Sequence, residues 1–283
     1  MLAQQLCDIE EIEVQLLLEA INKRYGYDFT QYTQASIKRR IESYIVQMNY
    51  THITDCVSTL LYDEAAFELF VNSLTVHVTE MFRDPDFFRA LHNDVFNLLQ
   101  TYPYINVWIA GCASGEEAYS IAILLHEADL LSRCKIYATD ICKVIIDQAK
   151  QGIFEKSLLR EYTKNYQTAG GNSSFSDYYV CQGKWAIMPK FIRDAIHFMP
   201  HNLARDESFI QAHLVICRNV LIYFNQSLQD RVLSILTEST IPRGFLCLGD
   251  KEMLHQKKIS KCFDEFAEQN RIYRRNDSLL CDI

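Results

Sequence analysis

Apolar residues recur at helical intervals through the first quarter of the chain. Over 34–49, Ile37, Ile41, Tyr44, Ile45 and Met48 form one stripe, which predicts a helix with a single buried face. Lys38 and Arg40 flank that stripe, and Arg39 points away from it. A second helix is expected over 52–61 and a third over 63–73, where Asp63 can cap and Ala66, Phe67, Phe70 and Leu74 repeat. No strand pattern interrupts the residues up to about 75, so a small helical domain is expected.

The pattern changes from about residue 84. Asp84 followed by Pro85 fits an N-cap with proline in the first turn, opening a helix to about Gln100. Beyond it, β-branched runs over 105–110 and 135–139 alternate with helical stretches over 116–127 and 143–150. Further strands are expected over 196–199, 214–217 and 245–248, with a helix over 228–237. Such alternation predicts an α/β fold: right-handed crossovers, a doubly wound, mostly parallel sheet, and ligands at the strands' C-terminal ends. Segments 263–269 and 271–275, joined tightly at Asn270, read as a closing antiparallel pair. A Gly, Asn and Ser loop over 169–174 leads into an excursion around Tyr178 to Trp185.

Composition narrows the function. The chain has 283 residues, with 28 Lys and Arg against 36 Asp and Glu, for a net charge of −8. No stretch approaches the roughly 20 apolar residues of a membrane span, and the segment from Met1 to Glu13 is acidic rather than signal-like, so a cytoplasmic protein is expected. Net negative charge argues against a nucleic-acid partner held through phosphates, although a local basic face remains open. The ten cysteines (7, 56, 112, 134, 142, 181, 217, 247, 262 and 281) form no CxxC pair and sit mostly in apolar runs. Buried reduced thiols are expected, with no metal site and no disulfide scaffold. Glycine is scarce, with 9 residues, so two in one turn stand out.

Those two are Gly111 and Gly115, which follow a strand and open a helix. Glycine at such a turn lets the backbone approach a nucleotide. A second strand then ends in Asp140, where a carboxylate can accept both ribose hydroxyls. Simpler explanations exist: Ser114 and Glu117 have the spacing of a capping box, and Asp is a common turn residue. In this order the features favour a ribose-bearing cofactor. Neither GxGxxG nor GxxxxGK[ST] occurs, which sets NAD and ATP behind S-adenosylmethionine, a sulfonium nucleoside without phosphate.

At these residues the chain resembles the CheR family of S-adenosylmethionine-dependent protein-glutamate O-methyltransferases, which act on bacterial chemoreceptors. The matching blocks run in order from Gly26-Tyr27-Asp28-Phe29 and Ile37-Lys38-Arg39-Arg40-Ile41 through Thr79-Glu80-Met81-Phe82-Arg83-Asp84-Pro85. They continue through Ser114-Gly115-Glu116-Glu117-Ala118-Tyr119-Ser120, Ala138-Thr139-Asp140-Ile141, His201-Asn202-Leu203 and Cys217-Arg218-Asn219-Val220-Leu221-Ile222-Tyr223-Phe224. The resemblance implies a helical domain over 1–78 and a class I methyltransferase domain over 79–283, with an inserted antiparallel subdomain at about 165–192. It implies cofactor contacts from His77, Thr79, Arg83, Glu117, Asp140, Asn202, Leu203, Asn219 and Val220, beside the glycine turn at Gly111. Arg83 and Tyr223 match the residues nearest methyl transfer. Lys38, Arg39 and Arg40 match a region that meets the Glu- and Gln-rich cytoplasmic helices of the receptor; read without the resemblance, the three fan out at about 100° steps and can equally be a solvated charged face. The Tyr178 to Trp185 region would read a receptor C-terminal tail by strand addition, and a monomer without membrane insertion is expected. Four departures stand out: His77 for a usual Asn, Met81 for a Phe, Ala118 for a Pro, and Gly249-Asp250-Lys251-Glu252 for Gly-His-Ser-Glu.

Carboxyl methylation asks little acid–base chemistry of the protein. The nucleophile, with a reference pKa of roughly 4.3, is ionised at neutral pH and needs no general base. Approach and orientation are what remain to be supplied. Arg83 could orient the carboxylate through its planar fork, or form an ion pair with Asp84 or Asp86. Tyr223 could line the methyl path or simply edge the core. Asn219 could bind adenine or end a strand, and His77, Asn202 and Leu203 have equally plain readings as packing and turn residues. A cofactor-binding scaffold or sensor, and a methyltransferase of another substrate class, stay open as alternatives.

Overall fold

The computed structural model describes the backbone of residues 2–277 and the side chains of 9–277. Cys281 and the side chain of Cys7 therefore lie outside the described residues. The chain forms two compact units. The first contains the residues up to Val76 together with Asn202–Glu207 and Tyr223–Val232; the second contains His77–His201, Ser208–Ile222 and the residues from Leu233 onward.

The first unit is helical: Leu2–Tyr25, Gln34–Gln47, Val57–Tyr62 and Glu64–Leu74, with short 3-10 turns at Phe29–Gln31 and Ile53–Cys56. Its core holds Leu17, Ile21, Ile37, Ile41, Tyr44, Leu60, Phe67 and Phe70. Asp63 caps the last helix by accepting from the Ala65 and Ala66 amides at 2.9 and 3.1 Å. Met48 departs from the expected stripe: the helix ends at Gln47, and Met48 stands 44% exposed at its C-cap. The two later segments join this unit through non-local backbone pairing. The Thr33 amide donates to the Tyr223 carbonyl at 2.9 Å, and the Asn225 amide to the Gln31 carbonyl at 2.8 Å. Pairing across so many residues leaves no periodic mark in the sequence.

Among the described residues the second unit is built on ten strands, β1 (Ile105–Ala110), β2 (Cys134–Asp140), β3 (Ile153–Glu155), β4 (Val180–Gln182), β5 (Trp185–Ile187), β6 (Ile196–Pro200), β7 (Ala212–Cys217), β8 (Thr240–Leu248), β9 (Phe263–Ala267) and β10 (Ile272–Arg275). Seven form one sheet in the order β6-β2-β1-β7-β8-β10-β9. β6, β2, β1, β7 and β8 pair in parallel, while β10 is antiparallel to both β8 and β9. Both faces of the central strands are covered, so β1 and β7 read as nearly unbroken apolar runs, and Trp108 and Val215 are fully buried in register. The closing pair is shorter than expected, because Glu268–Asn270 forms a 3-10 turn and Arg271 takes φ 52°.

The helix after Pro85 also differs in detail. It runs Pro85–Ala90, widens into a π turn at Leu91–Val95, and ends at Phe96–Leu99. Asp84 stands at its N-cap in a left-handed conformation, φ 57°, and makes no capping bond, because its carboxylate is engaged elsewhere. β3, β5 and β4 make a separate antiparallel sheet, so the small subdomain recruits residues upstream of the expected 165–192. Glu127 anchors the loop leading to it, accepting from the Tyr178 hydroxyl at 2.9 Å and the Asn172 amide at 3.2 Å. Of the eight described cysteines, all free, seven are buried; Cys181 on β4 is exposed.

Candidate active site

β1 lies between β2 and β7, so the chain leaves its C-terminal end at the point where the strand order reverses and adjacent loops part. Gly111 begins the loop there at φ 78°, and its amide and that of Cys112 both donate to the Thr139 carbonyl, at 2.8 and 2.9 Å. A Cβ at Gly111 would overlap Cγ2 of Val220 in the loop after β7, so only glycine fits. Gly115 caps the following helix at φ 96°, and the Ser114 and Glu117 capping box does not form. Ser114 instead donates to Glu116 at 2.6 Å, and Glu117 faces Arg218.

Asp140 ends β2, 9% exposed. One carboxylate oxygen accepts from the Ala113 amide and the other from the Cys142 amide, each at 3.0 Å. Burial raises its pKa, while those amides and the neighbouring His77 oppose the rise. Each oxygen keeps a lone pair for a further donor, so the aspartate is both fixed in place and able to accept ribose hydroxyls.

Arg218, directly after β7, is the most buried cation of the site, its side chain only 1% exposed. It donates to Glu117 at 2.8 Å and to Asp84 at 2.6 Å, with its guanidinium 4.1 Å from the centre of the Phe87 ring. Burial raises the Glu117 pKa and Arg218 is the chief opposing influence. Oε1 of Glu117 accepts no hydrogen bond among the described residues. Arg83 is half-buried, and among the described residues its guanidinium donates to the Val78 carbonyl alone, at 3.3 Å. The ion pair expected with Asp84 or Asp86 is absent among the described residues, because Asp84 is held by Arg218 and Asp86 by Arg89.

Asn219 takes φ 59° after β7. The amides of Asn219, Val220, Leu221 and Gly249 all donate to the Glu252 carboxylate, at 3.0, 2.8, 2.8 and 2.7 Å. Burial raises the Glu252 pKa against these four donors. The divergent Gly249 to Glu252 block thus keeps the two residues that hold the loop, while Asp250 and Lys251 occupy an exposed turn. Thr79 and His77 are half-buried in the same unit.

The remaining expected residues belong to the first unit. Asn202 is 8% exposed; its Oδ1 accepts from the Ala204 amide at 3.0 Å, and its Nδ2 is buried with no partner among the described residues. Leu203 is buried and Tyr223 half-buried in a 3-10 turn. Lys38 pairs with Glu10 at 3.1 Å, and Arg40 donates to the Thr75 carbonyl at 3.2 Å, leaving Arg39 the exposed member of the trio. Sequence reasoning gave no role to Arg218, Glu252 or Glu116. Their signal was charge inside or beside apolar runs, which marks a group that must be paired when buried.

Comparison with known proteins places both regions. Residues 12–75 match the family described as CheR methyltransferase, all-alpha domain, and residues 77–268 match CheR methyltransferase, SAM binding domain. The chain is similar to "Putative methyltransferase Cher3" of Pseudomonas putida, 47% identical over 266 residues that cover 94% of this chain and 97% of that one. It is 28% identical over 237 residues to "Chemotaxis protein methyltransferase" of Listeria monocytogenes, covering 83% of this chain and 87% of that one. A 104.1 kDa protein of Rhodobacter capsulatus is 30% identical over 270 residues, 91% of this chain but 27% of that longer one.

Proposed function

The chain belongs to the CheR methyltransferase family, an S-adenosylmethionine-dependent family, and from that premise we propose that it methylates glutamate side chains of a chemoreceptor or related signalling protein. The products are a glutamate methyl ester and S-adenosylhomocysteine. A new bond forms between carboxylate oxygen and methyl carbon as the methyl–sulfur bond breaks, and the opposite charges cancel.

The observation that carries this reading is Arg83. The flanking Asp84 and Asp86 are held by other arginines, and Glu80, which feels the Arg83 charge, makes no ion pair with it among the described residues, so the donor fork is open to an incoming carboxylate. The cofactor, when bound, supplies an electrophilic sulfonium methyl. Around it, Asp140 offers lone pairs to ribose hydroxyls, Glu117 offers Oε1 to the amino group, and Gly111 permits close approach of the backbone. Asn219 and Val220 are presented by a loop that Glu252 fixes. Nothing in this unit has to serve as a nucleophile or base: burial raises the Cys112 and Cys217 thiols well above their usual range, which keeps them protonated. The parts taken by His77, Thr79, Asn202, Leu203 and Tyr223 rest on the family resemblance. So do receptor contact by Lys38, Arg39 and Arg40 and tail docking on the exposed edge of β4. No helix of the described residues is long and apolar enough to cross a membrane. Action on cytoplasmic receptor helices, as a monomer, rests on the family resemblance.

Calorimetry with S-adenosylhomocysteine, paired with a methyl-transfer assay, tests this reading. Arg83→Ala is expected to bind the product within about threefold of the parent while transfer falls about a hundredfold, as for loss of an orienting group. Full turnover by Arg83→Ala, or no product binding by the parent protein, would contradict it.

A further inference from the structure

Arg218 touches both halves of the proposed chemistry. One nitrogen, Nη1, donates to Glu117 at 2.8 Å and approaches the Arg83 carbonyl at 3.4 Å; the other, Nη2, donates to Asp84 at 2.6 Å. The group is almost wholly buried, and the Phe87 ring covers its face at 4.1 Å. A buried guanidinium with two carboxylates has one orientation, because its donors are coplanar and fixed relative to one another.

The backbone it grips is unusual. Phe82 and Asp84, on either side of Arg83, both occupy the left-handed region, at φ 55° and 57°. Neither is glycine, so both are held there against their preference, and such conformations persist only where surrounding contacts fix them. Phe82 is fixed through its amide, which donates to the Ser120 hydroxyl at 3.0 Å. Asp84 is fixed through its side chain by Arg218. The two anchors leave Arg83 on a short bridge whose direction is set from both ends.

We propose that Arg218 is a positioning residue that holds two groups at once: Glu117, for the amino-acid end of the cofactor, and the strained 82–84 backbone, which aims Arg83 at the carboxylate substrate. This rests on the function proposed above. Lysine in its place keeps the charge but cannot bridge two carboxylates in one plane. The Asp84 arm can be cut separately, because Asp84 is 38% exposed and its amide replacement is nearly isosteric.

The test measures kcat and nucleoside affinity for Asp84→Asn and Arg218→Lys. Asp84→Asn is expected to lower kcat about tenfold and leave S-adenosylhomocysteine affinity within about twofold, since only the Arg83 arm is lost. Arg218→Lys is expected to lower kcat similarly and also weaken S-adenosylhomocysteine about tenfold, while 5′-methylthioadenosine, which lacks the amino-acid end, binds as before. A purely structural role would weaken both nucleosides together, and that result overturns the proposal. So does an unchanged kcat in Asp84→Asn, which decides the matter alone if Arg218→Lys fails to fold. If the parent protein binds no S-adenosylhomocysteine, the function itself falls; if it binds and transfers while the variants match it, only the role of Arg218 falls.

Discussion

Glu116 occupies the first turn of the helix after Gly115, 6% exposed, with the Ser114 hydroxyl on its carboxylate. Burial pushes its carboxyl from the ordinary 4.5 up to about 7, with Ser114 opposing. A raised acid favours the folded state most while it is protonated. Its contribution is therefore full below pH 4.5, declines as pH rises, and is gone above about pH 7. Glu116→Gln cannot titrate, so between pH 5 and 8 its melting temperature is expected to fall less than that of the parent. The difference corresponds to about 3 kcal/mol across the window, at about 1.4 kcal/mol for each pKa unit. Parallel melting curves for the two proteins would refute it. At this scale the sequence was only partly legible: the turn glycines Gly111 and Gly115 and the strand-ending Asp140 stood out by position, Glu117 read as half of a capping box that does not form, and the pairing of Asp84 with Arg218 spans 134 residues and has no local signature. The same distance explains why an Asp84 cap looked plausible and did not form.

The loop after β7 shows how an element acquires a fixed shape. Asn219 to Leu221 donate three consecutive amides to one buried carboxylate, and Gly249 adds a fourth. Glu252→Ala strips the partners from all four and is expected to cost about 2–4 kcal/mol in urea unfolding, with weaker cofactor binding in the same variant. A loss below about 0.5 kcal/mol would show that the amides find other acceptors. Gly111→Ala attacks the same loop from β1, where the added methyl meets Val220 in a left-handed backbone; a loss of about 1–3 kcal/mol is expected by the same measurement. Strands and helices of the parallel sheet were legible because covered strands give unbroken apolar runs and amphipathic helices give a 3.6 period. The small sheet was legible in part. β4 and β5 form a hairpin with local turn residues, but β3 is only Ile153–Glu155, too short for any period to register. The π turn at Leu91–Val95 shifts the buried face within a helix without interrupting its apolar content.

For the molecule as a whole, a net charge of −8 sets a condition on any acidic partner. On the helix Gln34–Gln47 the proposed receptor contact would have to meet it through Arg39, which is exposed, because Lys38 pairs with Glu10 and Arg40 donates to the Thr75 carbonyl. Arg39→Glu is accordingly expected to raise KM for a receptor substrate about tenfold at low salt, with cofactor affinity unchanged, and the effect should shrink at physiological ionic strength, where the Debye length is about 8 Å. A salt-independent change would point to contact other than charge. The most direct test of the account uses S-adenosylmethionine labelled in the methyl group, the full chain, and membranes containing chemoreceptors. Label is expected on receptor glutamates, released by mild alkali as methanol and lost with Arg83→Ala. Label that resists alkali, or none on any receptor although S-adenosylhomocysteine binds, would contradict it.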